Sequence, residues 1–271
     1  MVASLHPDMA LTLFKYRSSE RALEALVRGS LYFAPRQTLN DTLEVTFEDA
    51  GADEFQAVLG VFFYQKAQQR GQPGYRLDRS VAEAFARTNA AENRRFREHA
   101  EQVGIFSATP NQTSRAMWHA YADAGRGYCF ELRLLPETQQ QCGLHCRPVV
   151  YRSGPRRHNR AEDLVRVLEA LASEHPQASI EELQHLSLEG SVRSRWGIET
   201  TARVASIKHT DWQHEQELRL LAARSDAKPL LQASLQRVWS LRGSTPDRLG
   251  EVSALLASGY PGVTLEPWPP R

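Results

Sequence analysis

Apolar and polar positions change period several times along the chain, and each change predicts an element. Residues 11–16 are mainly apolar and aromatic, as a buried strand is; Ser18 or Ser19 then caps a helix carrying Ala22, Leu23, Leu26 and Val27 at helical spacing, and Gly29 closes it. Leu31-Tyr32-Phe33 returns as a strand, and Pro35 with Asn40-Asp41 marks a turn. Residues 52–102 read as helical, with Phe55, Val58, Leu59, Phe62 and Phe63 on one stripe and Val81, Phe85 and Phe96 on another, separated by Gly71-Gln72-Pro73-Gly74. A strand follows at 104–109, a helix at 113–123 ended by Gly125, and a strand at 128–134 in which Tyr128, Phe130 and Leu132 alternate with Cys129, Glu131 and Arg133. A short strand at 148–151 precedes a helical stretch at 161–203, where Leu164, Val167, Leu168 and Leu171 are in register and Pro176 interrupts. Strands at 213–222, 236–241 and 262–266, with a helix around 246–257, complete the reading.

Sheet elements at both ends with helices between them predict an α+β protein. The expected core is a sheet of short mixed or antiparallel strands, in a single elaborated domain over residues 1–271 with helical insertions at about 51–102 and 160–205. At 271 residues and 41% hydrophobic content the chain can bury a full core. It has no apolar stretch of membrane-spanning length and no basic-then-apolar start, so we expect a cytoplasmic protein without a membrane partner; later export by a dedicated machine would leave no mark. Cys129, Cys142 and Cys146 are too few and odd in number for a disulfide framework, which fits a reducing compartment.

The formal net charge of +1 excludes a global field that would draw nucleic acid or anionic lipid. Only Lys15, Lys66, Lys208 and Lys228 among the 33 basic residues are lysines, so arginine clusters carry less information than usual. The densest, Arg152, Arg156, Arg157 and Arg160, is read as a solvated loop. Cys142, His145 and Cys146 would need a fourth zinc ligand, for which His158 is the nearby choice, and plain loop residues are the alternative.

The chemistry concentrates in Glu215-Gln216-Glu217. On a strand, Glu215, Glu217 and Arg219 share one face while Gln216, Leu218 and Leu220 share the other, so the charged side can line a cleft. On a helix, Glu215 and Arg219 would instead be an ordinary surface pair. Upstream, Arg17 ends an apolar strand and suits a phosphate, and Ser107 and Thr109 offer hydroxyls that could brace a glutamate, although Ser-x-Thr-Pro is also common turn chemistry. Met117, Trp118 and Tyr121 fit a core helix as well as a cofactor box, and Gly125-Arg126-Gly127 fits a helix cap as well as a ligand approach.

Lys15-Tyr16-Arg17-Ser18, Leu31-Tyr32-Phe33, Leu39-Asn40-Asp41, Phe106-Ser107, Met117-Trp118-x-x-Tyr121 and Trp212-x-x-Glu215-x-Glu217-x-Arg219 together resemble a widespread bacterial domain family of uncharacterised function, from about residue 12 to residue 266. More distantly, the chain is similar to the ADP-ribosyltransferase toxins that use arginine, a Ser-x-Ser or Ser-x-Thr step and Glu-x-Glu. That resemblance implies an ADP-ribosyltransferase-like fold with NAD as substrate. Arg17 with Tyr16, Ser107 and Thr109 would bind NAD, Glu217 would be the catalytic glutamate, and Glu215 would serve the acceptor. It also implies a protein, nucleic-acid or small-molecule acceptor, a role as a toxin, effector or phage-defence protein, and an antitoxin or immunity partner. The alternatives are a module that senses a nucleotide without turnover and, with His209, His214 and Asp211 beside the glutamates, a metal-dependent nuclease.

Overall fold

The computed structural model describes residues 10–39, 52–112, 114–153, 160–241 and 244–268. In chain order the strands are β1 (Leu11–Arg17), β2 (Leu31–Phe33), β3 (Gly104–Ala108), β4 (Tyr128–Leu134), β5 (His145–Pro148), β6 (Val150–Arg152), β7 (Ile207–His209), β8 (Leu218–Ala222), β9 (Asp226–Lys228), β10 (Leu235–Ser240) and β11 (Thr264–Pro267). The helices are α1 (Ser19–Arg28), α2 (Ala52–Gln69), α3 (Arg79–Gln102), α4 (Arg115–Tyr121), α5 (Pro136–Gln141), α6 (Arg160–Glu174), α7 (Ile180–Ser187), α8 (Gly190–Val204), α9 (Leu231–Ser234) and α10 (Pro246–Gly259). Helices and small mixed sheets thus make an α+β chain. The expected Asn40-Asp41 turn, Arg156, Arg157 and His158 lie outside the described residues.

Two units emerge. The first comprises Met1–Glu44, Gln102–Ser153 and Ser206–Arg271 and holds every strand; the second comprises Val45–Glu101 and Gly154–Ala205. In the first unit β1 and β10 flank β4 antiparallel, with β11 parallel to β10, while β3 and β5 flank β8 antiparallel. Isolated bridges join Phe14 to Thr109 and Ala34 to Ile105, tying β1 and the end of β2 to β3. The alternation expected in β4 is observed: Tyr128, Phe130, Leu132 and Leu134 enter one buried cluster with Leu13, Phe106 and Val238, and Cys129 enters another with Phe14, Tyr16, Trp118 and Trp239. Side chains buried to this extent contribute about 1.5–3 kcal/mol each.

Helix α1 forms because Ser18 accepts from the Arg21 N–H at its start and Gly29, at φ 62°, ends it. Tyr260 after α10 donates its hydroxyl to the Leu26 carbonyl and fixes α1 at its far end. Gly127 has a different task. A Cβ there would lie 2.2 Å from the Arg17 carbonyl oxygen and 2.9 Å from the Ala122 Cα, so only glycine lets the chain pass the end of β1. Both obstacles are backbone and cannot rotate away, so Gly127→Ala is expected to cost about 1–3 kcal/mol or more, read as a lower Tm in a thermal melt.

In the second unit, the helical stretches read from 52–102 and 161–203 pack on one another through Leu59, Phe62, Phe63, Phe85, Leu164, Leu168 and Trp196. Ser179 and Glu182 start α7 with a reciprocal capping box. Arg160, expected in a solvated loop, is instead buried, with its guanidinium 4.7 Å from the Phe96 ring and 4.5 Å from the Trp196 ring, and the Trp196 indole donates to its carbonyl. The aromatic faces explain the difference, since they hold a cation that the local sequence gave no reason to bury. Arg152 is exposed as expected.

The strand expected over 213–222 starts later. Residues Thr210–Glu215 form a 3-10 turn, Gln216 adopts left-handed backbone at φ 46°, and β8 begins only at Leu218. Glu215 and Glu217 therefore do not share a strand face by alternation.

Candidate functional site

What alternation does not supply, the kink at Gln216 does. It turns both carboxylates onto the Lys208 ammonium, which donates to Glu215 Oε2 at 2.6 Å and to Glu217 Oε2 at 3.2 Å. Arg219, on β8, donates to the same Glu217 carboxylate from Nε at 2.7 Å and Nη2 at 3.2 Å. The four side chains are almost fully buried; Arg219 is 1% exposed and Glu217 5%. The Tyr121 hydroxyl on α4 bonds Glu215 Oε1, and the Tyr151 hydroxyl on β6 accepts the Glu217 N–H at 2.7 Å. Ser107 stands opposite Arg219 across the β3–β8 ladder, and its hydroxyl helps to hold the Glu217 carboxyl down. Burial alone would push the Glu217 carboxyl up, but Arg219, Lys208 and the Ser107 hydroxyl outweigh it and bring the pKa down to about 2.

This network closes one side of a cleft of about 890 Å³ in the first unit. On β1, Lys15 and Arg17 share the strand face opposite Phe14 and Tyr16, and both line the cleft together with Ser107, Arg21, Glu215 and Glu217. The Lys15 ammonium donates to the Ser107 carbonyl oxygen at 2.5 Å and stands 5.1 Å from the Phe106 ring centre. Burial, reinforced by Arg17 and opposed by Glu217 and Glu215, lowers its pKa to about 7. Arg17 is lowered to about 10 by burial and then by Arg21, and its Nε is buried with no hydrogen-bond partner. Lys208 and Arg219 neutralise Glu215 and Glu217, so Lys15, Arg17 and Arg21 leave the cleft with excess positive charge. Glu24 is engaged by Arg28 at 3.0 Å, and the Asp123 carboxylate accepts from the Ser19 N–H at 2.8 Å. The ligand that complements such a cleft is anionic.

Arg17, Ser107, Glu215 and Glu217 are thus brought together. Tyr16 also lines the cleft, whereas Thr109 falls elsewhere. Tyr16 packs edge-on against Trp118 with ring centres 5.2 Å apart, and its hydroxyl donates to the Gln112 carbonyl at 2.8 Å. Thr109 is fully buried, and its hydroxyl accepts from the Asn111 N–H, which is the turn chemistry its sequence context allowed. Trp118 is a core residue beside Trp268. The space at Gly125 and Gly127 is filled by Leu241 and the Arg17 carbonyl. Cys142 and Cys146 are free, partly buried thiols, and among the described residues no group of three or more His, Cys, Asp or Glu is placed to hold a metal ion. Of the residues named with the glutamates for a nuclease, the Asp211 carboxylate pairs with His209 at 2.9 Å and the Asp211 carbonyl bonds the His214 ring.

Sequence reasoning missed Lys15, Lys208 and Tyr151 as site residues. One signal was available for the first two: lysine is so scarce that two of the four in the chain line this cleft.

The fold and site define an α+β protein with a cationic cleft closed by a buried Lys-Glu-Glu-Arg network. Residues 117–220 match the model of a protein family of unknown function, DUF2971, so a domain of the uncharacterised family expected from the sequence lies over Tyr121, Lys208, Glu215, Glu217 and Arg219. Lys15, Arg17 and Ser107 precede the matched span. No curated protein and no solved structure matches the chain. Among the described residues no helix is long and apolar enough to cross a membrane.

Proposed function

We propose that this cleft binds NAD and breaks its nicotinamide–ribose bond, passing ADP-ribose to a protein, a nucleic acid, a small molecule or water, with β1, β3 and the segment entering β8 arranged as in ADP-ribosyltransferases. The observation that supports this reading is the meeting of Arg17, Ser107 and Glu217 in one cleft, with the Arg17 Nε buried without a partner. In this reaction nicotinamide leaves with the bonding electron pair and becomes neutral. Positive charge then develops on the ribose, and an acceptor oxygen or nitrogen attacks C1′ and gives up its proton. Glu217, held ionised at neutral pH, stabilises the developing charge and accepts from a ribose hydroxyl. Glu215 orients the acceptor and Arg17 holds the pyrophosphate. Such chemistry suits a toxin, effector or phage-defence protein restrained by an antitoxin or immunity partner.

A second reading has its own support. The Glu217 carboxylate already takes hydrogen bonds from Arg219 and Lys208, a degree of satisfaction that suits a nucleotide sensor without turnover. Nicotinamide release from NAD by the purified protein, with and without cell extract, separates the two. Release by wild type and its loss in Glu217→Gln, with both melts recorded because Glu217 also anchors Arg219, is the expected result. No release by wild type in either condition, with NAD still raising Tm, would leave only the sensor.

A further inference from the structure

We propose that Lys15 contacts the ligand, forming with Arg17 and Arg21 a three-cation cradle for a phosphodiester or pyrophosphate group. The proposal rests on the reading of this cleft as a nucleotide site, and not on bond cleavage. Three observations carry it. Lys15 and Arg17 are two residues apart on one strand face, and both line the cleft with Arg21 from the first turns of α1. The Lys15 ammonium uses one donor, to the Ser107 carbonyl, and a lysine offers three. The acidic groups acting on Lys15 are Glu215 and Glu217, and both are already paired, with Lys208 and Arg219. Lys15 therefore sits among cations it repels, without a carboxylate of its own, and a ligand phosphate is the counter-charge that completes the cluster.

Proton linkage follows. The groups around Lys15 are Arg17 on its own strand, Arg21 on α1, and Glu215 and Glu217 beside β8. Arg28, Glu24, Asp123 and Lys208 also line the cleft, and no histidine is among its described lining residues. With its pKa lowered to about 7 the free Lys15 is partly neutral above that pH, and a phosphate bound against it restores the charge by taking up a proton. The pyrophosphate of a dinucleotide is a diester that does not titrate there, so the proton reports on the protein.

Calorimetric titration of the full chain with ADP-ribose, at about pH 7.5 in two buffers of different ionisation enthalpy, tests this. Wild type is expected to take up roughly half a proton or more on binding. Lys15→Met should bind about ten-fold or more weakly with no uptake, while Lys15→Arg, always charged, should bind without uptake. ADP-ribose binding with no proton uptake in wild type would overturn the proposal, as would a Lys15→Met affinity within about two-fold of wild type. Adenosine binding as tightly as ADP-ribose, or no ADP-ribose binding at all, would overturn it too. Proton-linked ADP-ribose binding without nicotinamide release from NAD would reject cleavage alone, and release without proton uptake would reject the cradle alone.

Discussion

Arg219→Met is expected to lower folding stability by about 3–5 kcal/mol, because it leaves the Glu217 carboxylate buried with half of its compensation removed. Arg219, with Lys208, outweighs burial and holds the Glu217 carboxyl down at about 2 against 4.5 for an unperturbed glutamate. The pH dependence has a definite sign. Because folding depresses the Glu217 pKa, its stabilisation is complete above about pH 4.5 and is lost as pH falls towards 2. Denaturant titrations of wild type and Arg219→Met should therefore differ most at neutral pH and converge as acid protonates Glu217. A constant difference across that range would mean that Arg219 stabilises by packing and not through its charge.

Arg17→Met should separate stability from function. Its guanidinium Nε is buried without a partner and burial disfavours its charge, so methionine removes a desolvation cost and should leave Tm unchanged or higher. Binding should suffer. Two charge-assisted hydrogen bonds from a guanidinium to a pyrophosphate, at about 1.5–3 kcal/mol each, put the loss of NAD or ADP-ribose affinity at about a hundred-fold or more. Calorimetry and a thermal melt on one preparation read both effects. A Tm lower by several degrees with unchanged affinity would make Arg17 a structural residue. The contrast with Arg219 is physical: Arg219 is buried and matched by a carboxylate within the chain, whereas Arg17 is half-buried, with a buried Nε that awaits a counter-charge.

Local rules were enough for much of the fold. The Ser18 cap and Gly29 bounded α1, strict alternation fixed which face of β4 is apolar, and the Leu164 to Leu171 register marked α6. These features depend on residues a few positions apart, where backbone sterics and periodic burial decide the outcome. That Arg17, Ser107, Glu215 and Glu217 could meet in one cleft was also legible, because polar and charged chemistry beside apolar strands is unusual.

Tertiary structure decided the rest, through contacts between residues far apart in the chain. The left-handed backbone at Gln216 overrode the alternation that would have made 213–217 a strand, and both glutamates converged on Lys208 by a route the sequence pattern does not contain. Thr109 went to a turn while Ser107, two residues earlier, lines the cleft, a difference set by the pairing of β3 with β8. Arg160 left its expected loop for the rings of Phe96 and Trp196. Sequence by itself determined most of the regular elements and several of the residues that meet in the cleft; only the folded chain determined which charges are paired and which remain for a ligand. Periodicity is local, whereas charge compensation is settled by whichever distant side chains burial brings within hydrogen-bonding distance.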